Sequence, residues 1–169
     1  PEERLLFARL GVFRGGFDVE AAQAVGAFRS SAGMSARTID AVSSLVAKSL
    51  LRESSEGGVA RFRYLESIEE YARERLEDLP DAEEVCDRHA RHYLERAERM
   101  SPELWGRAQR EIRARLEADR ANFGAALERF VDRDLVDEAS RLCLALEWHW
   151  YMSGSFASGE RAIRSVLAM

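Results

Sequence analysis

Cysteine is scarce in this chain, and long apolar runs are missing from it. The two cysteines among 169 residues, Cys86 and Cys143, lie in helical apolar patterns rather than in the turn-rich spacing of a secreted disulfide scaffold. No apolar run approaches the length that crosses a bilayer, and no basic-then-apolar leader opens the sequence. We therefore expect a cytoplasmic protein with no membrane role.

Catalytic motifs are also lacking. No glycine-rich loop ends in Gly-Lys-Ser/Thr, so the sequence holds no phosphate-binding loop. No serine or cysteine stands in a local arrangement with a base and an orienting group, as nucleophilic catalysis requires. We expect that the chain is not an enzyme, and we assign it no catalytic, cofactor-binding or metal-binding residues.

One spacing imitates a metal site. Cys86, His89 and His92 follow one another at steps of three residues. On a helix each such step rotates by about −60°, so the first and last side chains diverge by roughly 120° and converge poorly on one ion. We expect instead that His89 is buried with a hydrogen-bond partner and that His92 lies at the surface.

Helical periodicity dominates what is present, and 46% of the residues are hydrophobic. The first third predicts three short helices, with Asp18 capping the second and a loop over residues 28–35 before the third. Two β-compatible runs follow, separated by a loop that contains Gly57 and Gly58, which predicts a hairpin. Three helices and then a hairpin is the order of a winged-helix module, with the hairpin as the wing. The predicted helices cover residues 2–12, 19–25 and 36–49, and the predicted strands cover residues 50–53 and 59–65.

The rest of the sequence predicts antiparallel helices joined by short links. Ser67 and Glu70 form a predicted capping box for a helix that ends near residue 79. A long helix follows Asp81, and another runs from the Ser101-Pro102 pair to about residue 132. The next helix runs from residue 135 to about 152 and ends at Gly154, and a final helix begins near residue 156. This pattern predicts a tetratricopeptide-like helical repeat, and a plain helical bundle fits the same pattern almost as well.

The cationic residues of the module decide between DNA and protein as its partner. The third predicted helix carries Arg37 and Lys48 at its ends with Asp40 between them, and the wing mixes arginines with glutamates. A DNA reader usually places several cations toward phosphates. We therefore expect packing against a neighbouring domain rather than DNA binding.

An aromatic cluster occupies residues 147–151 of the fourth downstream helix. Such a cluster is typical of a helix that packs on both sides. Because exposed aromatic side chains dominate protein-binding hot spots, Trp148 and Tyr151 are the predicted protein-contact residues. Asn122 is predicted to be a buried amide that ties adjacent helices together.

Three stretches together resemble the C-terminal part of bacterial STAND signal-transduction ATPases, many of which carry LuxR-type or related DNA-binding domains. The resemblance covers nearly the whole chain and keeps the order of its parts. It rests on residues 10–18 (LGVFRGGFD), on residues 45–51 (LVAKSLL), 61–68 (RFRYLESI) and 70–72 (EYA), and on Arg88–Ala90, Tyr93, Asn122–Phe123, 125–127, Trp150 and Gly154.

The resemblance implies a winged helix over residues 1–75 and the start of a helical sensor over residues 76–169, cut short at its C-terminus. The P-loop ATPase domain that binds ATP or ADP would precede this chain. In related plant and animal proteins a Met-His-Asp type motif ends the wing, whereas Leu65 stands at the histidine position here. An aliphatic group cannot donate a hydrogen bond to phosphate, so direct nucleotide sensing by this module is not expected.

The sequence thus leads to a regulatory interpretation. The winged helix would relay changes from its own upstream ATPase domain to a helical sensor that binds a protein or a small inducer. Leu65, Glu66 and Ile68 are the predicted coupling residues, because the chain leaves the wing there and starts the connecting helix. The alternative is a DNA-binding winged-helix transcription regulator with a helical dimerisation domain.

Overall fold

The computed structural model describes residues 2–26, 34–56 and 58–169, and this described part is mainly helical. It forms two compact units, Pro1–His89 and Ala90–Met169. Elements of the first unit are α1 (Glu2–Leu10), α2 (Val19–Gly26), α3 (Met34–Ala47), β1 (Leu51–Glu56), β2 (Val59–Tyr64) and α4 (Glu66–Glu77). The helix α5 (Ala82–Met100) contains the division, and the second unit continues with a 3-10 helix (Ser101–Trp105), α6 (Gln109–Ala118), α7 (Arg120–Asp132), α8 (Val136–Ser153) and α9 (Phe156–Leu167).

The first unit is a winged helix, as the order of its elements predicts. Its fully buried side chains come from α1, α2, α3 and the turn before α2, and they include Leu6, Leu10, Phe17, Val25 and Leu45. Burying side chains of this size stabilises the fold by roughly 1.5–3 kcal/mol each before entropy is counted. Asp18 caps α2 as predicted, since its Oδ1 accepts a hydrogen bond from the backbone N–H of Ala21 at 2.9 Å.

Aromatic side chains join the wing to the helices. The Phe7 and Tyr64 rings meet edge to face with centroids 5.2 Å apart, and the Tyr64 hydroxyl donates to the Phe7 carbonyl oxygen at 2.7 Å. Phe13 stacks on Phe17 at 4.7 Å, and the Phe17 backbone exchanges hydrogen bonds with that of Phe62 in β2. These contacts fix the wing against the helical core.

The wing is longer than the sequence pattern suggests. The predicted first strand ended at Glu53, whereas β1 continues to Glu56 and pairs antiparallel with β2 in a register that runs from Leu51 opposite Tyr64 to Glu56 opposite Val59. Polar Ser54 and Ser55 fit this strand because their side chains are solvent-exposed.

The helices α4 and α3 begin at Glu66 and Met34. The capping box at Ser67 and Glu70 is wrong: α4 begins at Glu66 with Leu65 as its N-cap residue, and no side-chain cap bond forms. The physical reason is that Leu65 leaves the strand in an extended conformation and its carbonyl accepts from Ile68 and Glu69, which places Ser67 inside the first turn. The loop predicted over residues 28–35 falls mostly on residues 27–33, which lie outside the described residues; α3 begins at Met34.

The α1 and α4 helices approach each other closely at one glycine. A Cβ atom on Gly11 would lie 2.5 Å from the Ala72 carbonyl oxygen, closer than real side chains come. The absence of a side chain at Gly11 therefore lets the connecting helix pack directly on the end of α1.

The second unit is a helical bundle. Its core contains Tyr93, Leu104, Leu116, Phe130 and Leu142, all with less than 2% of their surface exposed. Tyr93 and Phe123 meet edge to face at 5.6 Å. Gly154 ends α8 in the left-handed conformation with φ of 70°, as predicted.

The single helix predicted from residue 101 to residue 132 is wrong. The chain forms a 3-10 helix, α6 and α7 there instead, and Asp119 separates the last two. The Asp119 carboxylate is buried and lies 2.8 Å from the Arg96 guanidinium, so an ion pair holds the break in place. A tetratricopeptide-like repeat within this bundle and the domain division after residue 75 stay predictions.

No described helix combines the length and the apolar composition that crossing a bilayer requires.

Candidate functional site

The first candidate surface is α3, which occupies the position of a recognition helix. From Arg37 onward, its exposed residues between the two end cations are Ile39, Asp40, Ser43 and Ala47. Glutamates of α1 accompany the end cations: Arg37 lies 3.5 Å from Glu2, and Lys48 forms an ion pair with Glu3. Hydrogen bonds from Lys48 and then from Ser44 lower the pKa of Glu3. Exposed pairs of this kind add little stability, but they leave the local charge near zero.

The second candidate surface is the wing, which is cationic on one face. Arg52 in β1 stands directly opposite Arg63 in β2, and both side chains are exposed. Like charges in this position repel each other, so the pair disfavours the isolated hairpin and favours an anionic partner. Arg63 donates to the Gly15 carbonyl, and no ion-pair partner of Arg52 lies within the described part of the chain.

Arg61 has a structural role. Its side chain is 4% exposed and donates to the Gly16 carbonyl at 3.1 Å. This contact ties β2 to the turn before α2. Of the three wing arginines, Arg61 is therefore buried, and the side chains of Arg52 and Arg63 are exposed.

The predicted coupling residues lie around the base of the wing. Leu65 and Glu66 line a small pocket of about 270 Å³ together with Arg52, Arg63 and Tyr64. Ile68 lines a different groove of about 830 Å³ between α1, α3 and α4, next to the exposed Tyr71. The structure thus places the three residues on two surfaces, and their coupling role stays a prediction.

The third candidate surface is an aromatic ladder in the second unit, defined by Trp105, Trp148, Tyr151 and Phe156. Trp105 stacks on Trp148 with centroids 4.3 Å apart, and Trp148 stacks on Tyr151 at 5.0 Å. Tyr151 meets Phe156 edge to face at 6.1 Å. The sequence pointed to Trp148 and Tyr151; it missed Trp105 and Phe156, because their proximity depends on how the 3-10 helix and α9 pack on α8.

The exposure of the ladder makes it available for contact. Trp105 is 69% exposed, while Tyr151 and Phe156 are each 61% exposed. Trp148 is half-buried between its neighbours. Flat aromatic surfaces of this kind form binding hot spots when a partner covers them.

His89, His92 and Asn122 differ in how deeply they are buried. His89 is buried, as predicted, with its ring 5.4 Å from that of Phe13. The prediction for His92 was wrong, because it is half-buried and packs against Tyr93. Asn122 is fully buried, as predicted.

In the described ranges, no group of three or more His, Cys, Asp or Glu side chains is placed to hold a metal ion.

Burial changes the acidity of two further groups. It raises the pKa of the Tyr64 phenol and that of the Cys143 thiol. Both groups are therefore neutral at physiological pH, and Cys143 is a poor thiolate nucleophile.

Comparison with known proteins places the first unit in a described class. Residues 1–77 match the family model described as a winged helix-turn-helix domain. The fold and this match agree: the N-terminal part of the chain is a winged helix-turn-helix domain. No solved structure shows a significant match to the chain.

The curated relatives are mycobacterial. The chain is 32% identical over 165 residues to "Putative HTH-type transcriptional regulator Rv0890c" of Mycobacterium tuberculosis and equally to its counterpart Mb0914c of Mycobacterium bovis. These alignments cover 98% of the chain but 18% of each relative, so the chain spans about a fifth of their length. An uncharacterised M. tuberculosis protein, Rv0894, is 38% identical over 90 residues, which is 53% of the chain and 23% of that protein.

Proposed function

We propose that this chain is part of a cytoplasmic transcription regulator and that its winged helix contacts DNA mainly through the wing. The observation that carries the proposal is the exposed Arg52–Arg63 pair on a domain of the winged helix-turn-helix class. Relatives named as HTH-type transcriptional regulators support it over 98% of the chain. The role is non-catalytic, and it needs no cofactor within this chain.

DNA contact by the wing follows from the charge distribution. The exposed middle of α3 carries no cation, and the cations at its ends are accompanied by Glu2 and Glu3. The wing, in contrast, presents two guanidinium groups on one face, and guanidinium binds phosphate in a bidentate fashion. We therefore propose DNA binding in place of the sequence-based expectation of a partner domain, with the phosphate contacts on the wing.

A fluorescence anisotropy titration tests the proposal. The chain is added to a labelled random-sequence DNA duplex at about 50 mM salt, where electrostatic binding is strongest. Saturable binding is expected, together with a clear loss at about 200 mM salt. An unchanged anisotropy at low salt would refute DNA contact.

The aromatic ladder is proposed to serve the helical unit as a dimerisation surface between two copies of the chain. Three strongly exposed aromatic side chains on one surface support this. A dimeric DNA-binding protein gains affinity because its second contact is intramolecular. If the chain sediments as a monomer, the aromatic ladder does not join two copies. Trp148 and Tyr151 would then be assigned to contact with a different protein.

The second candidate function is a relay of the STAND type, in which an upstream domain that binds ATP or ADP uses the winged helix to communicate with a sensor. The near-neutral α3 surface and the groove lined by Ile68 favour this candidate. Ile68→Pro removes the hydrogen bond from the Ile68 amide to Leu65 in the first turn of α4. In a longer protein that contains the chain, this variant should separate inducer binding from nucleotide hydrolysis, and retained coupling would remove the candidate.

A further inference from the structure

A pocket of about 600 Å³ lies between α7, α8 and α9, entirely within the second unit. Its walls are mostly apolar and include Phe123, Leu127, Leu142, Cys143, Leu146 and Trp150. Small-molecule sites commonly have this volume and this lining, with a few polar groups that orient the ligand. The polar groups of the pocket therefore indicate which kind of molecule fits.

One polar group is His149, which is 3% exposed and lines the pocket. Among the residues that the structure describes, neither ring nitrogen has a hydrogen-bond partner, and a carboxylate oxygen of Glu117 lies 3.6 Å from Nε2. A buried polar group without a partner is rare in folded proteins. A ligand that exchanges a hydrogen bond with the imidazole would satisfy it.

Two arginines line the pocket. Arg161 of α9 is exposed and donates to the Ser158 hydroxyl at 3.5 Å, and no described carboxylate pairs with it. Arg120 of α7 lies 3.4 Å from Glu117, and both side chains of that pair are about half-exposed. Glu128 is the carboxylate of the lining, so the cations outnumber it there. This balance favours an anionic end group on the ligand.

We propose that this pocket binds a small amphipathic monoanion whose apolar body lies among the α7–α9 side chains, with its anionic group toward Arg161 and His149. An apolar carboxylate is the natural chemical class. The inference rests on the sensor role that the second candidate function gives to the helical unit. Ligand binding by the pocket is measured without DNA or nucleotide. A failure of the pocket proposal is therefore distinguishable from a failure of the proposed function.

The pocket offers a variant that fills it without disturbing the fold. Gly124 lines the pocket within α7, and a Cβ atom at this position meets no other atom within 4 Å. Because glycine is a poor residue for a helix interior, Gly124→Phe should keep or raise the thermal midpoint while its ring occupies the pocket. Ala157→Phe is the control, because Ala157 is exposed on α9 and does not line the pocket.

The experiment uses 8-anilinonaphthalene-1-sulfonate, a fluorescent apolar monoanion, with the whole 169-residue chain. Saturable binding at one site is expected, with displacement by decanoate. Gly124→Phe should weaken binding at least tenfold, whereas Ala157→Phe should not change it. Circular dichroism melts of each variant show that the fold is kept. Equal binding by the Gly124→Phe and Ala157→Phe proteins would overturn the proposal.

A second pair of variants tests the anionic group. Arg161→Gln should weaken displacement by decanoate about fivefold or more and leave displacement by neutral decanol unchanged. Arg164→Gln, on the same helix but outside the pocket lining, should leave both unchanged. If Arg161→Gln and Arg164→Gln behave alike toward decanoate, the assignment of an anion is wrong.

Discussion

Arg96 and Asp119 form a buried ion pair in the second unit. Its side chains are 6% and 1% exposed, and it sits where the chain breaks between α6 and α7. Asp119→Ala leaves a buried guanidinium without its carboxylate, so we expect a loss of about 3–5 kcal/mol in the free energy of unfolding, measured by urea denaturation. Asp137→Ala is the control, because its carboxylate is 82% exposed and 3.7 Å from Arg141. Equal losses in both variants would contradict this account.

His149 should make the stability of the second unit depend on pH. Burial lowers the pKa of His149 below its ordinary value near 6.5, Glu117 opposes this shift, and Arg113 and Arg120 add to it. The unfolded chain therefore binds a proton at higher pH than the folded chain does, and the stability present above pH 6.5 falls as the pH is lowered.

His149→Gln should remove this part of the acid sensitivity. Between pH 7.5 and 5.5 the wild-type chain should lose more stability than the variant, by up to about 1.4 kcal/mol per pH unit, in urea denaturation at each pH. Parallel pH profiles of the two proteins would show that His149 does not carry the effect.

At the scale of elements, two helical glycines should respond to alanine with opposite signs. Gly154 ends α8 at φ of 70°, so Gly154→Ala should cost about 1–2 kcal/mol. Gly124 lies inside α7 in open space, so Gly124→Ala should gain about 0.5–1 kcal/mol. Thermal melts of the two variants check the prediction. Shifts of the melting temperature with the same sign would contradict the assignment of Gly154 to a helix end and of Gly124 to a helix interior.

Local chemistry decided which elements were predictable. Asp18 and Gly154 act within one turn of their own helices, and the sequence located both. Ser67 failed as a cap because the start of α4 depends on how the chain leaves β2, and the helix break at Asp119 depends on Arg96, which lies 23 positions earlier in the sequence. Contacts between distant residues leave no short-range pattern to find.

The candidate surfaces also depend on contacts between residues that are distant in the sequence. Trp148 and Tyr151 are visible in the sequence as neighbouring aromatics, whereas their stacking with Trp105 requires the packed bundle. Similarly, the wing arginines are visible as residue types, but the burial of Arg61 and the pairing of Arg52 opposite Arg63 follow from the strand register. The order of elements in the first unit is thus predictable from sequence, whereas the helix breaks of the second unit and the assembly of a surface are not.

At the scale of the whole molecule, the ladder predicts self-association. Replacing Trp105 and Tyr151 by serine removes the two most exposed stacked rings, so sedimentation equilibrium should show a dimer for the wild-type chain and a monomer for the double variant. Leu144→Ser, at an exposed apolar residue outside the ladder, is the control and should remain dimeric. A wild-type chain that is monomeric at every concentration would exclude this dimerisation surface.

The chain as a whole carries a net charge of −5, which opposes DNA binding outside a cationic surface. The wing must therefore supply the attraction locally. Removing two phosphate contacts lowers the salt dependence of binding in proportion, at about 0.9 in the log–log slope for each contact.

The most direct test of DNA contact through the wing is the slope of log K against log salt concentration for a random duplex. We predict that Arg52→Ala/Arg63→Ala reduces this slope by about 2 relative to the wild-type chain, while Arg91→Ala/Arg107→Ala in the second unit leaves it unchanged. Identical slopes for the wild-type chain and the wing variant would contradict the account.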